Sequence, residues 1–279
     1  MHRLLTGPLS VDPVTVAIAG LPRALHNTKL VQFSDFHYDG LRLSDDLLIQ
    51  AIAASNALEP DLILLTGDYV TDEPEPIYDL VRHLKQLRSR LGILAVLGNH
   101  DLHEDHSQAE VTAALTSIGT QVLWNQVAYP LGSDLAFVGL ADFWSGEFTP
   151  TPVLSELDPA LPRIVLSHNP DTAQILQKWR VDLQLSGHTH GGQVVIPGFG
   201  TISKLYEDVF YSIPKTIRSA IPSMRKHCHR VVQHWEWASG LHQVGDNLLY
   251  VNRGLGTYLP GRLFCPPEVT AITLVCQDS

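Results

Sequence analysis

The sequence predicts an α/β fold whose parallel strands deliver polar clusters to one edge of a sheet. Three features point to it. Short apolar runs recur along the chain. Each ends in Gly or small polar residues followed by Asp, Asn or His. Stretches with helical periodicity lie between the early runs. Strand–helix–strand alternation implies parallel strands with right-handed crossovers, and in such sheets functional groups gather outside the carboxyl ends of the strands.

From the start of the chain, Val14, Val16 and Ile18 alternate as a strand does. Residues 29–33 then lead into Ser34-Asp35, 62–65 into Thr66-Gly67-Asp68, and 93–97 into Gly98-Asn99-His100-Asp101. Leu47, Leu48, Ala51, Ile52 and Ser55 follow a helical period, and so do Ile77, Leu80, Val81, Leu84 and Leu87. Residues 121–140 read as a β-rich meander broken by Asn125, Pro130, Gly132 and Ser133. The proline-rich stretch 149–162 reads as loop. The first pattern returns at 163–166 before Ser167-His168, and at 181–185 before Ser186-Gly187-His188-Thr189-His190. Residues 248–251 and 270–275 read as closing strands. With no internal repeat and no clear linker, residues 1–279 are expected to form a single domain.

The formal net charge of −10 argues against a nucleic-acid partner, which would call for a basic footprint. An acidic chain that acts on phosphates needs bound divalent metals to attract them. The three cysteines, Cys228, Cys265 and Cys276, are odd in number and show no CxxC spacing. They suit a reducing compartment better than a disulfide framework or a zinc knuckle. No run reaches the ~20 apolar residues of a membrane span, and the beginning of the chain lacks the pattern of a signal peptide. The expected location is cytoplasmic.

Singly, each polar cluster has an ordinary structural explanation. Gly-Asp after a strand is turn chemistry, and His168 alone fits a satisfied core histidine. Together they are five ligand-rich clusters at five strand ends. Asp35 with His37, and His188 with His190, stand two residues apart, a spacing that on extended backbone aims both side chains at one point. Mixed imidazole and carboxylate ligation suits Zn, Mn or Fe. The groups suffice for two ions with Asp68 as the natural bridge, an arrangement that can clamp both oxygens of a displacement at phosphorus.

The ordered set Asp35-x-His37, Gly67-Asp68, Gly98-Asn99-His100-Asp101, His168 and Gly187-His188-Thr189-His190 resembles the calcineurin-like metallophosphoesterases over residues 30–195. The resemblance implies a four-layer αββα sandwich, two divalent ions with Mn foremost, and attack by a metal-bound hydroxide. It implies one ion on Asp35, His37, Asp68 and His190, and the other on Asp68, Asn99, His168 and His188. His100 would protonate the leaving oxygen or stabilise the transition state, with Asp101, or less strongly Asp72, orienting it. The protein phosphatases of this superfamily continue their second motif to a further Asp and Arg. Here Gly67-Asp68 runs on as Tyr69-Val70-Thr71-Asp72, which speaks against a protein substrate.

The later motifs, Asn252-Arg253-Gly254-Leu255-Gly256 and Cys265-Pro266-Pro267-Glu268-Val269, resemble the bacterial YkuE and YaeI type. They also resemble the chlamydial UDP-2,3-diacylglucosamine pyrophosphatases of lipid A biosynthesis. That branch implies a phosphodiester or pyrophosphate substrate. Arg253 is a candidate for a substrate phosphate or, equally, for a structural salt bridge. Between the two groups of motifs, Ile213, Ile217, Ile221, Met224, Cys228, Val231 and Trp235 recur at helical spacing. Residues 201–234 carry six Lys or Arg against two acids. A helical insertion at 201–238 is expected, either as a cap packed on the domain or as a basic amphipathic element on the inner face of the cytoplasmic membrane. His227, His229 and His234 beside Cys228 are read as an exposed helical face rather than a further metal site.

Overall fold

In the computed structural model, which describes residues 5–206 and 232–277, two six-stranded sheets face one another with helices on both outer sides. The strands are β1 (Ser10–Ile18), β2 (Thr28–Phe33), β3 (Leu62–Leu65), β4 (Ile93–Ala95), β5 (Thr120–Val122), β6 (Gln126–Ala128), β7 (Ala136–Gly139), β8 (Arg163–Leu166), β9 (Leu183–Ser186), β12 (Gly240–Val244), β13 (Asn247–Val251) and β14 (Glu268–Cys276), with a small β10 (Val195–Ile196) and β11 (Gly200–Thr201) hairpin. The first sheet has the order β1-β14-β2-β3-β4-β5, and the second β12-β13-β9-β8-β7-β6. Neighbours from β2 to β5 are parallel, and so are β7, β8, β9 and β13. The parallel cores follow from the strand–helix alternation of the sequence.

Period-two burial sorts the side chains into layers. Leu30, Leu62, Leu64 and Leu94 of the first sheet meet Phe137, Ile164, Leu166, Leu183, Leu185 and Tyr250 of the second. Their neighbours Val31, Phe33, Ile63, Leu65 and Ala95 point the other way, under the helices. Both faces being buried explains why these strands read as continuous apolar runs. Burial of each large side chain contributes about 1.5–3 kcal/mol. The polar side chain of Gln32 spans the gap between the sheets, donating from Nε2 to Thr66 Oγ1 and to the Ser186 carbonyl, each at 3.0 Å.

The outer helices are α1 (Asp45–Ala57), α2 (Ile77–Leu84) and α3 (Ser107–Ser117) over the first sheet. In α1, the Ser44 side chain caps the amide of Leu47, and Asp45 and Asp46 favour the first turn. Its buried residues are the five whose spacing predicted it. Helix α2 stops at Leu84, so Leu87 packs from the loop beyond it. Over the second sheet lie α4 (Pro150–Leu154) and α5 (Thr172–Leu176). Helix α4 corrects the loop expected at 149–162. Pro150 opens it at the first helical position, where a missing N–H costs nothing.

The amphipathic helix expected at 201–238 falls mostly on residues 207–231, outside the described residues. At its far end, Trp235–Trp237 form a 3₁₀ turn, and His234 pairs with Glu236 at 2.7 Å while stacking on Trp237. Among the described residues, no helix is long and apolar enough to cross a membrane.

Candidate metal centre

The five polar clusters follow β2, β3, β4, β8 and β9 directly, each at a carboxyl end. The loops do not run on as extended backbone. Asp35, His37, Asp68, His188 and His190 all have positive φ, between 43° and 71°. This corrects the expectation that two-residue spacing on a strand aims the paired ligands. Each loop instead turns through the left-handed region, which costs a non-glycine residue about 1–3 kcal/mol and persists where surrounding contacts enforce it. Here the amide of Asp35 donates to the Gly67 carbonyl, and that of His37 to the Asp68 carbonyl. The loops also pack too closely for side chains at every position. A Cβ on Gly187 would lie 1.9 Å from Ser34 Oγ, and one on Gly98 would lie 2.2 Å from Asp68 Oδ1.

The result is a buried cluster of donors in two groups. Asp35, His37 and His190 form one, and Asp68, His168 and His188 the other, with the donor atoms of each within 4.8 Å of one another. His190 Nε2 lies 3.4 Å from Asp35 Oδ1 and 3.0 Å from His37 Nε2. Asp68 Oδ2 lies between the groups, 3.5 Å from His37 Nε2 and 3.1 Å from His168 Nε2. His188 and His190 therefore face different groups, although their spacing suggested a common point. Asn99 follows β4, and its Oδ1 is buried without a hydrogen-bond partner.

The outer ring nitrogens settle which atoms face inward. His168 Nδ1 meets the Thr66 carbonyl at 2.7 Å, and His190 Nδ1 meets the Gly256 carbonyl at 3.1 Å. His37 Nδ1 meets the Tyr258 hydroxyl at 3.0 Å. A carbonyl only accepts, so the inner Nε2 of neutral His190 presents a lone pair, and that of His168 presents one once the proton it shares with Asp68 is lost. Lone pairs converging with carboxylates are a poor arrangement unless a cation lies among them. The donor set thus fits divalent metal.

The electrostatics of the metal-free chain keep two of these rings neutral and charge the third. Burial holds His37 well below its ordinary pKa, and burial followed by the Arg262 charge holds His190 down to about 3. Both rings are neutral, as ligation requires. Burial, then the neighbouring Asp68, raises Asp35 to about 6. Burial also opposes charge on Asp68 and His168, but their mutual attraction prevails. It holds Asp68 well below the usual carboxylate range and lifts His168 to about 10.

His100 stands at the edge of the cluster, its ring 4.7 Å from that of His37 and a ring nitrogen within 4.8 Å of donor atoms of His37 and Asp68. The group that orients it is the Thr71 carbonyl, 2.6 Å from Nδ1. Asp101, expected in that role, is a loop anchor. Its buried carboxylate accepts from the amides of Asp68, Tyr69 and Gly98 at 2.8–2.9 Å, joining the second and third clusters. Burial and then the Asp68 charge push it up to about 7. Asp72 is exposed and stands nearest His103, at 3.8 Å. Arg253 has the salt-bridge geometry: Asp12 at 2.8 Å, Glu268 at 3.2 Å and the Pro266 carbonyl at 3.0 Å hold its guanidinium.

Three residues that the motifs did not reveal complete the centre. Tyr258 reaches His37 from the 252–264 loop, with the Arg42 guanidinium 4.4 Å over its ring. Arg262 donates to the carbonyls of Arg253, Gly254, Gly256, His190 and Cys265, tying that loop to the His190 turn. Burial lowers its pKa to about 10. Asp142, after β7, is fully buried, and its Oδ2 has no hydrogen-bond partner. Burial raises its pKa, and the nearby His168 lowers it. The one sequence signal for Tyr258 and Arg262 was their place just after the glycines of the Asn252–Gly256 motif.

The profile of the calcineurin-like phosphoesterases matches residues 28–192. The metallophosphoesterase YkuE of Bacillus subtilis is 32% identical over 93% of this chain and 83% of its own length. The phosphodiesterase YaeI of Escherichia coli is 33% identical over 88% and 82%. The UDP-2,3-diacylglucosamine pyrophosphatase LpxG of Chlamydia trachomatis is 28% identical over 88% and 83%. With the two-sheet fold and the convergent ligand-type residues, these matches show that the chain belongs to the calcineurin-like phosphoesterases, hydrolases of phosphoesters that use divalent metals.

Proposed function

We propose that the chain hydrolyses a phosphodiester or pyrophosphate at two divalent ions. One is held by Asp35, His37, Asp68 and His190, and the other by Asp68, Asn99, His168 and His188. The observation that carries this reading is the position of Asp68 Oδ2, within 3.5 Å of a ring nitrogen from each group. The donors suit Mn first, with Zn and Fe also compatible. When bound, the ions supply Lewis acidity and lower the pKa of a water toward ~7. The chain's own residues do the rest. The Thr66 and Gly256 carbonyls and the Tyr258 hydroxyl fix the ligand rings. Asp101 fixes the loop that carries Asp68. His100, held at Nδ1 by Thr71, is the group placed to give a proton to the leaving oxygen.

Within this chemistry we favour a lipid-linked substrate, UDP-2,3-diacylglucosamine or a relative of it, as the name of LpxG indicates for that protein. Two observations support a lipid. Phe199, Leu259, Leu263 and Phe264 are exposed on the β10–β11 hairpin and the 258–264 loop. These two segments are joined where Val195 donates to the Leu263 carbonyl, next to the turn bearing His190. The sequence that continues from the hairpin is basic, although the chain as a whole is acidic. An apolar rim followed in sequence by a basic stretch supports peripheral contact with the inner face of a cytoplasmic membrane. The alternative is a general phosphodiesterase on small molecules.

The test is a product assay with added Mn on UDP-2,3-diacylglucosamine and on bis(p-nitrophenyl) phosphate. UMP released from the lipid substrate at the higher kcat/KM supports the favoured reading. Turnover of the plain diester alone assigns the general phosphodiesterase. A chain that binds no metal and turns over neither would be a scaffold that has kept the fold without the chemistry.

A further inference from the structure

The strand orders give the metal centre two flanks built from different loops. The His188–His190 turn and the 252–264 loop follow β9 and β13, toward one side of the sandwich. The Asn99 turn and residues 140–148 follow β4 and β7, toward the other. The first flank carries the exposed apolar rim. The second carries a cleft of about 290 Å³ lined by Asn99, Glu104, Gln108, Trp124, Trp144 and Glu147.

This cleft opens beside Asn99, and its walls are built rather than incidental. Trp124 Nε1 donates to Glu147 Oε2 at 2.6 Å, which fixes both side chains. Asn125 Nδ2 donates to the Glu147 carbonyl at 2.8 Å, so the loop backbone is held as well. Trp144 is tethered by its amide to Asp142 Oδ1 at 2.8 Å. Phe143 packs edge-on against both Trp144 and Phe148. Trp144 is nonetheless 46% exposed. A large aromatic side chain held in place and left open beside candidate metal ligands has the form of a stacking platform. Around it stand the carboxylates of Glu104, Asp105 and Glu147 and the amide of Gln108. All four can accept hydrogen bonds from hydroxyls, and the three carboxylates repel a second phosphate.

We propose that this cleft is a substrate subsite for a neutral, hydroxylated ring, the nucleoside or sugar moiety esterified to the scissile phosphoryl group. The ring stacks on Trp144, and its hydroxyls meet the carboxylates. The proposal rests on the phosphoesterase reading above, because it needs the phosphoryl group to lie at the metal ligands. It adds a polarity that the fold alone does not dictate: the polar ring enters on the Asn99 flank, and any apolar portion leaves toward the hairpin.

The experiment compares three esters with the same leaving group on the Mn-loaded full chain: p-nitrophenyl thymidine 5′-phosphate, p-nitrophenyl glucose 6-phosphate and methyl p-nitrophenyl phosphate. At least one ring ester should be preferred over the methyl ester by about tenfold in kcat/KM, through a lower KM, as stacking of one base predicts. Trp144→Ala should erase that preference while leaving the methyl ester unchanged, and Trp144→Phe should restore most of it. Preference for thymidine over glucose would identify a nucleoside, and the reverse a sugar. Equal kcat/KM on all three esters would overturn the subsite. If no ester were turned over, the phosphoesterase reading would be at fault. Quenching of tryptophan fluorescence by thymidine or methyl glucoside, lost in Trp144→Phe, would then still decide the subsite, and absence of quenching by both would overturn it.

Discussion

The carbonyl oxygen of Thr71 lies 2.6 Å from Nδ1 of His100. A carbonyl cannot donate, so Nδ1 keeps its hydrogen, and a protonated ring offers a second N–H from Nε2. The proposed acid is thus oriented by backbone. His100→Ala should lower kcat by about 10²–10⁴ on a diester with an alkoxide leaving group. It should affect p-nitrophenyl esters far less, because nitrophenolate departs without a proton. Metal content should not change. Equal losses on both kinds of ester, or lost metal, would show that His100 binds the phosphoryl group or an ion instead.

Tyr258 Oη lies 3.0 Å from Nδ1 of His37, an outer partner supplied by a side chain where His168 and His190 use backbone carbonyls. Outer partners of ligating histidines typically contribute about 10–100-fold to metal affinity. Tyr258→Phe keeps the ring under Arg42 and removes the hydroxyl. Its Mn affinity, measured by calorimetry, should fall by about tenfold or more, while urea unfolding of the metal-free chain stays nearly unchanged. Unaltered affinity would make the Tyr258 contact incidental.

The ligand-type residues and the parallel strand cores were legible in sequence because both leave local marks: an apolar run, then a turn, then Asp, Asn or His. The helix Asp45–Ala57 was legible for the same reason, down to its buried face. The roles of Asp101 and Arg253 were not. A carboxylate two residues from Asn99 reads alike whether it accepts from four amides or orients a histidine. The answer depends on where Tyr69 and Gly98 meet across β3 and β4. Likewise the left-handed turns at Asp35 and His188 arise from loop-on-loop crowding, which spacing along one chain does not encode.

Arg262 is half-buried, and its guanidinium donates to five carbonyls from two loops. Lysine cannot reproduce a planar fork of donors. Arg262→Lys leaves several buried carbonyls unpaired, each costing about 1–3 kcal/mol. The chain should lose roughly 3 kcal/mol or more in urea unfolding. Mn affinity should fall along with it, because the anchored turn carries His190. A variant with native stability would show that water satisfies those carbonyls and that the loop does not depend on the arginine.

Metal uptake should release a proton at mildly alkaline pH. In the metal-free chain burial disfavours the His168 cation, but Asp68 overrides burial and raises the pKa from 6.5 to about 10. The raised value means that the charged pair stabilises the fold fully below the unfolded-state pKa, near 6.5, and that this contribution is lost as pH rises through about 10. A bound cation needs the His168 lone pair and must displace that proton anywhere in this window. Asp35, raised to about 6 chiefly by burial, adds a second proton only below that pH. Calorimetric titration with Mn at pH 8, repeated in buffers of different ionisation enthalpy, should therefore give heats that scale with the buffer and correspond to about one proton released. Asn replacing His168 should remove that dependence. Heats independent of the buffer would mean that His168 is already neutral, and that the attraction between it and Asp68 does not hold the empty centre together.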